Sequence, residues 1–287
     1  MGYNQAMPED RNIIAEWRES APYWEKHAAT VRQLFAPIST ALIHAARITS
    51  GQQVLDIAGG TGEPALEIAR LIAPQGRVVC TDAVAEMVAV AARRAEQSGI
   101  TNIEFKQCAA DRLPFADETF DAVVSRLGAM FFDDTLASLR ELLRVLKLGG
   151  TIALAVWSGQ AANPFFSIIT DILAAYIASP PEEPDAPGAF RFAERGKLAG
   201  LLKQAGAVNV KERVFDFHIE AALAPAEFWQ LRSEISDSLR AKVARLSRDE
   251  LAQVIAGVKQ QVAPFFSEGQ LSLPAQVLIV SGRRPDL

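Results

Sequence analysis

Short continuous apolar runs alternate with helically spaced apolar residues along the first half of the chain. Strand-like runs begin at residues 53, 77, 103 and 120, and a fifth ends at residue 157. Between the first two, Leu66, Ala69 and Ile72 recur at the spacing of one helix face. Strands that alternate with helices predict an α/β fold, in which a buried parallel sheet is covered by helices.

The flanking regions follow a different pattern. Apolar markers over residues 9–48 predict helices before the first strand, and residues 163–178 predict another after the fifth. A proline-rich loop is expected at 179–188. Beyond it we expect a helix at 194–204, a strand at 208–220, a helical stretch at 225–262 and a last strand at 275–281.

The most informative segment is the turn after the first strand, which contains Gly59, Gly60 and Gly62. Glycine allows positive φ and close approach of a ligand to the backbone. Pro64 then suits the first turn of a helix, where a missing N–H costs nothing. Gly60, Gly62 and Ala65 also fit the G-x-G-x-x-G/A spacing of dinucleotide-binding folds, so the loop alone predicts a cofactor site without choosing the cofactor.

Asp56, at the carboxyl end of the first strand, favours one kind of cofactor. A carboxylate beside the loop would repel the pyrophosphate of a dinucleotide. It would attract an ammonium group, and S-adenosylmethionine has an ammonium, a sulfonium and no phosphate. We therefore expect S-adenosylmethionine.

Four ordered segments, at 56–62, 77–87, 103–115 and 120–132, resemble the motifs of class I S-adenosylmethionine-dependent methyltransferases. The resemblance is closer to the group similar to the ubiquinone/menaquinone C-methyltransferases. The first segment, D-I-A-G-G-T-G, departs from the family's D-x-G-x-G-x-G because Ala58 replaces the first glycine. The resemblance implies a Rossmann-like, seven-stranded, mostly parallel sheet with an antiparallel last strand, helices on both faces and a helical substrate cap.

The resemblance also implies roles for individual residues. Asp82 would accept both ribose hydroxyls, Met87 would pack on the adenine or simply fill the core, and Asp111 with the backbone of Ala110 would accept the adenine amine. Tyr23 and Trp24, in the N-terminal helices, would wall the site or pack on the sheet. The expected cofactor-binding residues are Asp56, Ala58, Gly59, Gly60, Gly62, Asp82, Ala83, Met87, Ala110, Asp111, Arg112, Ser125, Arg126 and Tyr23.

No catalytic residue is assigned from the sequence. A phenol, enol or ring-carbon acceptor would benefit from a base. His27 in the N-terminal helices and His218 in the sixth strand are candidates, although an ordinary packed or exposed histidine is the commoner outcome. Aromatic residues expected near the cavity mouth, or in the core, are Phe131, Phe132, Trp157, Phe165, Phe166 and Trp229.

The composition of the chain limits the classes of ligand and partner that we expect. The chain of 287 residues has a formal charge of −5 and no basic cluster, which argues against nucleic acid. Two cysteines and three scattered histidines offer no metal-ligand spacing, so we expect no metal. Without a signal peptide or an apolar run of membrane-spanning length, a cytoplasmic protein without a membrane span is predicted. The expected partner is a small-molecule methyl acceptor, and a homodimer is left open.

These observations divide the chain into an N-terminal helical lid (1–50), a cofactor-binding α/β core (51–160 and 193–221 with 272–287) and helical insertions that form a substrate cap (161–192 and 222–271). The predicted activity is methyl transfer to O, C or N of a small aromatic or quinone-like molecule. Two alternatives remain. One is an NAD(P)-dependent oxidoreductase, although no tyrosine is followed four residues on by lysine. The other is a protein of the same fold that binds S-adenosylmethionine without methylating.

Overall fold

A mixed sheet organises the protein, as seen in a computed structural model that describes residues 13–178 and 185–286. Its strands are β1 (Gln53–Ile57), β2 (Arg77–Asp82), β3 (Ile103–Gln107), β4 (Phe120–Arg126), β5 (Leu146–Trp157), β6 (Val208–Ala221), β7 (Phe266–Ser267) and β8 (Gln270–Arg283). The order is β3-β2-β1-β4-β5-β8-β6, and the short β7 pairs only with β8. Strands β1 to β5 pair in parallel, while β8 runs antiparallel between β5 and β6. The predicted fold class is confirmed.

Helices cover both faces and one edge of this sheet. They are α1 (Ile13–Lys26), α2 (Ala28–Ala45), α3 (Ala65–Ile72), α4 (Ala85–Gln97), α5 (Thr135–Val145), α6 (Pro164–Leu173), α7 (Lys197–Gln204), α8 (Pro225–Ile235), α9 (Asp237–Val243) and α10 (Arg248–Val262). Val54, Leu55 and Ile57 of β1 are buried, as a parallel strand covered on both faces requires. The strand order reverses between β1 and β4, so a crevice is expected at their carboxyl ends.

The helix-like pattern that starts at Glu141 predicts a helix end at Gly149 and Gly150, but the structure places both glycines inside a strand. Helix α5 ends at Val145 and β5 begins with the next residue. The register of β4 against β5 shifts across this stretch, and Gly149 has a φ of +69°. A Cβ on Gly150 would lie 2.9 Å from the carbonyl oxygen of Lys147. The two glycines therefore permit an irregular strand start.

The predicted helical stretch at 225–262 is divided into three helices. Side-chain caps mark the starts of the second and the third, α9 and α10. Ser236 accepts the backbone N–H of Leu239 at the start of α9. Ser247 and Glu250 form a capping box at the start of α10. Tyr176, which follows α6, donates a hydrogen bond to Gln253 of α10 at 3.1 Å, so the two helical insertions contact each other.

Residues 179–184 of the predicted proline-rich loop, and residues 9–12 of the predicted N-terminal helices, lie outside the described residues. Among the helices that are described, none combines the length and the apolar character needed to cross a bilayer. No group of metal-ligating side chains occurs within the described ranges either.

Candidate functional site

One cavity opens at the carboxyl ends of β1, β2 and β4, where the strand order reverses. The loop between β1 and α3 forms one wall, and residues that follow β2 and β3 extend it. Helices α1 and α2, with the segment after β4, form the opposite side. The cavity therefore lies between the sheet and the N-terminal helices.

The wall between β1 and α3 is shaped mainly by its backbone, and we call residues 58–62 the glycine loop. Gly60 and Gly62 have φ values of +54° and +102°. Ala58 also has a positive φ, +54°, a conformation that costs a residue with a Cβ about 1–2 kcal/mol. Gly59 is constrained by space, because a Cβ there would lie 2.6 Å from the Cys80 sulfur.

Asp56 lies beneath this loop and does not line the cavity. Its carboxyl group is fully buried, and its Oδ2 accepts the backbone N–H of Ala65 at 3.0 Å, at the start of α3. Burial raises the pKa of Asp56 to about 8, although the nearby Arg126 opposes the shift. The carboxyl group therefore connects the strand to the start of α3, and its expected attraction to a cofactor ammonium stays a prediction.

Asp82, the last residue of β2, lines the cavity and is tied to the glycine loop. Its Oδ2 accepts the N–H of Gly60 and its Oδ1 accepts the N–H of Val84, each at 2.9 Å. Burial raises the pKa of Asp82, and these backbone hydrogen bonds oppose the shift. The carboxyl group is therefore fixed in position at the edge of the cavity.

Residues that follow β2 and β3 line the cavity beside the glycine loop and Asp82. Ala83 and Met87 follow β2, and Ala110 and Asp111 follow β3; all four line the cavity. Met87 is buried in a small cluster with Ala21 of α1, so its packing links the cavity wall to the N-terminal helix. Asp111 is exposed at the rim.

The opposite side of the cavity is aromatic, and we call Trp17, Trp24, Phe35, Phe131 and Phe132 the aromatic wall. Trp17 contacts Phe131 edge-on with ring centroids 5.1 Å apart, and it contacts Trp24 at 5.5 Å. Only Phe131 and Phe132 of the six aromatic residues expected at the mouth lie here. Trp157, Phe165 and Phe166 cluster around Phe35 without lining the cavity, and Trp229 is half-buried on α8 outside the lining.

The structure brings most of the predicted cofactor residues to one cavity. Those that line it are Ala58, Gly59, Gly60, Asp82, Ala83, Met87, Ala110, Asp111 and Arg126. Those that do not are Asp56, Gly62, Arg112, Ser125 and Tyr23. Tyr23 points away, with the Arg240 guanidinium carbon 4.7 Å from its ring centre, so of the two residues expected to wall the site only Trp24 lines the cavity.

Neither candidate histidine reaches the cavity. The Nε2 of His27 lies 2.5 Å from Oε2 of Glu234 on α8, and Lys26 binds the same carboxylate at 2.7 Å. The hydrogen bonds from these side chains and Gln230 lower the pKa of Glu234 to about 2, against its burial. His218 is exposed on the edge strand β6, opposite Pro274. The expectation that one of them is a catalytic base is not supported by their positions.

Sequence reasoning missed several lining residues, of which Glu63, Cys108 and Phe35 are the least obvious. Glu63 is buried and paired with Arg94, whose Nη2 is 3.1 Å from its Oε1. The position of Glu63 directly after the glycine loop is the sequence signal that could have identified it as a lining residue. Phe35 lies on α2, far from the motifs in sequence, and no local pattern distinguishes it from a core residue.

An open α/β sheet with a glycine loop and a carboxylate at the end of the next strand defines a nucleotide-binding protein of the Rossmann-like class. Residues 39–178 match the model of the ubiE/COQ5 methyltransferase family. The ubiquinone/menaquinone biosynthesis C-methyltransferase of Cellvibrio japonicus is 41% identical over 117 residues, which are 40% of this chain and 47% of that enzyme. Over residues 39–178 the chain is therefore similar to the ubiE/COQ5 methyltransferases, and this similarity supports S-adenosylmethionine as its cofactor.

Other similarities extend over more of the chain. An uncharacterized protein of Mycobacterium tuberculosis is 34% identical over 194 residues, which are 68% of this chain and 67% of the relative. The structure of phosphoethanolamine N-methyltransferase 2 from Haemonchus contortus, in complex with S-adenosyl-L-methionine, matches with a TM-score of 0.57 and 17% identity. That match covers 97% of this chain and 61% of the other, and at this identity it supports the fold alone.

Proposed function

We propose that the cavity transfers a methyl group from S-adenosylmethionine to O, C or N of a small planar molecule, aromatic or quinone-like. The observation that carries the proposal is that the glycine loop, Asp82 and the aromatic wall all line one cavity. The glycine loop and Asp82 offer backbone and carboxylate groups to a nucleoside. The aromatic wall offers apolar rings to a flat acceptor.

The proposed cofactor contacts follow from the family's motifs and from the cavity lining. Asp82 would accept the ribose hydroxyls, because its carboxylate is held at the cavity edge by two backbone N–H groups. Asp111 and Ala110 would bind the adenine amine, and Met87 would pack on the ring. The glycine loop would contact the amino-acid part through its backbone.

The proposed substrate cap consists of residues 161–192 and 222–271, closed by the N-terminal helices. Its support is a set of contacts from α1 to the cap: the Trp24 indole N–H donates to the carbonyl oxygen of Ile235 at 3.0 Å, and Arg240 donates to the Ser20 hydroxyl at 2.7 Å. A cytoplasmic location, the lack of a nucleic-acid substrate and a homodimer stay predictions.

Alignment and exclusion of water are the main tasks of the protein in this reaction. S-adenosylmethionine supplies a methyl group already activated by its sulfonium. The aromatic wall would hold the acceptor against that group, and holding two reactants in line can supply much of the rate acceleration. In the described part of the chain, no histidine or tyrosine side chain lines the cavity, so a base from those residues is not available.

Calorimetric titration and an acceptor panel separate this function from its alternatives. We expect S-adenosylmethionine and its demethylated product to bind, and NAD(P) not to bind. Binding of NAD(P) alone would support an oxidoreductase instead. Tight cofactor binding without acceptor-dependent formation of demethylated product, across phenols, hydroquinones and amines, would support a binding protein that does not methylate.

The variant Asp82→Ala tests the cofactor assignment. Loss of hydrogen bonds to a charged group should weaken cofactor binding by about 1.5–3 kcal/mol, measured by the same titration. Asp171→Ala is the matched control, because Asp171 is an exposed carboxylate on α6 that does not line the cavity. Unchanged affinity in a folded Asp82→Ala protein would contradict the assignment.

A further inference from the structure

Arg126 is a positively charged residue of the cavity wall. Within the described ranges, most of its guanidinium N–H groups make no hydrogen bond to the protein. It ends β4 and lines the cavity on the side of α2. A guanidinium has five N–H donors. One of them, on Nη1, donates to the Ser39 hydroxyl of α2 at 3.0 Å. Over the described ranges, neither an Asp nor a Glu oxygen comes within 4 Å of this side chain to form an ion pair.

The acidic residues near Arg126 do not form an ion pair with it. Asp56, Glu63 and Glu67 act on it electrostatically from a greater distance. Glu63 is already paired with Arg94. Burial raises the pKa of Asp56 to about 8 and also raises the pKa of Glu67, so burial disfavours the charged form of both carboxyl groups. The positive charge of Arg126 is therefore only partly balanced by the protein.

The surroundings make an unpaired guanidinium unfavourable and a bound anion favourable. Phe35 precedes Ser39 by one turn of α2 and lines the same cavity. Charges in an apolar environment interact more strongly than in water, and a buried charge is costly unless it is paired. A planar guanidinium also presents paired donors to an oxygen anion.

We infer that Arg126 binds the ionised oxygen of the methyl acceptor, and that the acceptor is a planar acidic phenol or enol. This inference rests on the proposed function of the cavity and names its substrate class. The acceptor loses its proton to water before or during binding. A lone pair on its oxygen, or the π electrons at the conjugated carbon, then form the bond to the methyl carbon. Where carbon attacks, its hydrogen afterwards leaves to water as a proton and the oxygen regains a proton from water. The carbon–sulfur bond breaks, its electron pair stays on sulfur, and the sulfonium becomes a neutral thioether.

Binding of an anion removes the need for a protein base. The reaction as written moves no proton onto the enzyme, which agrees with the positions of His27 and His218 away from the cavity. Ser39 is a positioning residue, because it touches the guanidinium and not the acceptor.

Two isosteric probes test the inference by binding alone. The first is 2-hydroxy-1,4-naphthoquinone, an enolate at neutral pH, and the second is 2-amino-1,4-naphthoquinone, which is neutral. Each is titrated calorimetrically into the full chain saturated with S-adenosylhomocysteine. We expect the wild type to bind the enolate at least about tenfold more tightly, the size of one charge-assisted hydrogen bond. Equal affinities, or no binding of the enolate, would overturn the inference.

Arg126→Met should lower the affinity for the enolate by about 10- to 100-fold and leave the neutral probe unchanged. Arg126→Lys should recover part of the loss, and Ser39→Ala should cause a smaller loss. Arg140→Met, at an exposed arginine of α5 outside the cavity and the proposed cap, is the matched control. S-adenosylhomocysteine affinity and the melting temperature are measured for each variant.

The outcomes distinguish this inference from the proposed function. If Arg126→Met and Arg126→Lys fold but lose S-adenosylhomocysteine instead of the enolate, Arg126 binds the cofactor and the inference is wrong. If the wild type methylates neutral acceptors as well as acidic ones, the function stands without the inference. If the wild type does not bind S-adenosylhomocysteine, the proposed function itself fails.

Discussion

The two sides of the cavity are built in different ways. The glycine loop and Asp82 come from residues 56–82, and their shape is set by φ angles, backbone N–H groups and one buried carboxyl group. The aromatic wall draws its side chains from α1, α2 and the segment after β4, which are far apart in sequence. Backbone shape suits a constant ligand, the cofactor, whereas side chains can be exchanged to suit an acceptor.

The largest effect is expected at Gly59. In Gly59→Ala the new Cβ would lie 2.6 Å from the Cys80 sulfur and 2.9 Å from Asp56 Oδ2, so the loop must shift. We expect denaturant unfolding to show a loss of about 3 kcal/mol of stability. Calorimetry should no longer detect cofactor binding. Gly200→Ala, in α7 with open space around the site, should instead gain about 0.5–1 kcal/mol. A Gly59→Ala protein that binds cofactor normally would show that the loop is not rigid.

The second effect is a pH dependence due to Asp56. Its pKa of about 8 in the folded state is above the ordinary value of 3.8, so folding favours the protonated form. That contribution to stability is complete below the unfolded pKa, decreases as pH rises and is lost above the folded pKa. Between pH 6 and pH 8 we expect the free energy of unfolding of the cofactor-free protein to fall by about 2 kcal/mol from this group.

Asp56→Asn is the control for that prediction, since the amide keeps an acceptor for the Ala65 N–H and does not titrate in this range. Its free energy of unfolding should change less between pH 6 and pH 8 than that of the wild type. Parallel pH profiles for the two proteins would exclude Asp56 as the source.

A smaller effect is expected in the aromatic wall. Phe131→Leu removes the edge contact with Trp17, a kind of contact worth about 0.5–1.5 kcal/mol. The KM for an acceptor that supports turnover should rise up to about tenfold, while cofactor affinity should change little. Phe115→Leu is the matched control, because Phe115 makes a similar edge contact with Phe120 at 5.2 Å outside the cavity and the proposed cap. A change in cofactor affinity alone would contradict the division between the two sides.

The smallest effect concerns Ala58. Ala58→Gly removes the strain of a positive φ but adds freedom to the unfolded chain, so a gain of about 0.5 kcal/mol at most is expected by thermal unfolding. Ala205→Gly, at a φ of −68°, has no strain to relieve and should lose about 0.5–1 kcal/mol. If both variants lost stability equally, the conformation of Ala58 would not be strained.

The sequence predicted the elements around the cofactor because each depends on a local pattern. The bounds of β1 agree with the apolar run at 53–57, and α3 begins directly after the predicted Pro64. The Gly149–Gly150 pair was misassigned because glycines permit a helix end and an irregular strand equally. The three helices after β6 were taken as one stretch, although Ser247 and Glu250 form a recognisable capping box.

Local sequence thus determined the α/β class, the glycine loop and the acid at the end of β2, because adjacent residues specify a strand, a turn and a helix. Only the tertiary structure decided which distant side chains meet. It placed Asp56 beneath the loop, turned Tyr23 toward Arg240, left only Trp24 of the two expected wall residues at the cavity, and added Phe35 to the lining. It also left Arg126 with Ser39 as its hydrogen-bond partner, since that pairing depends on how α2 packs against β4.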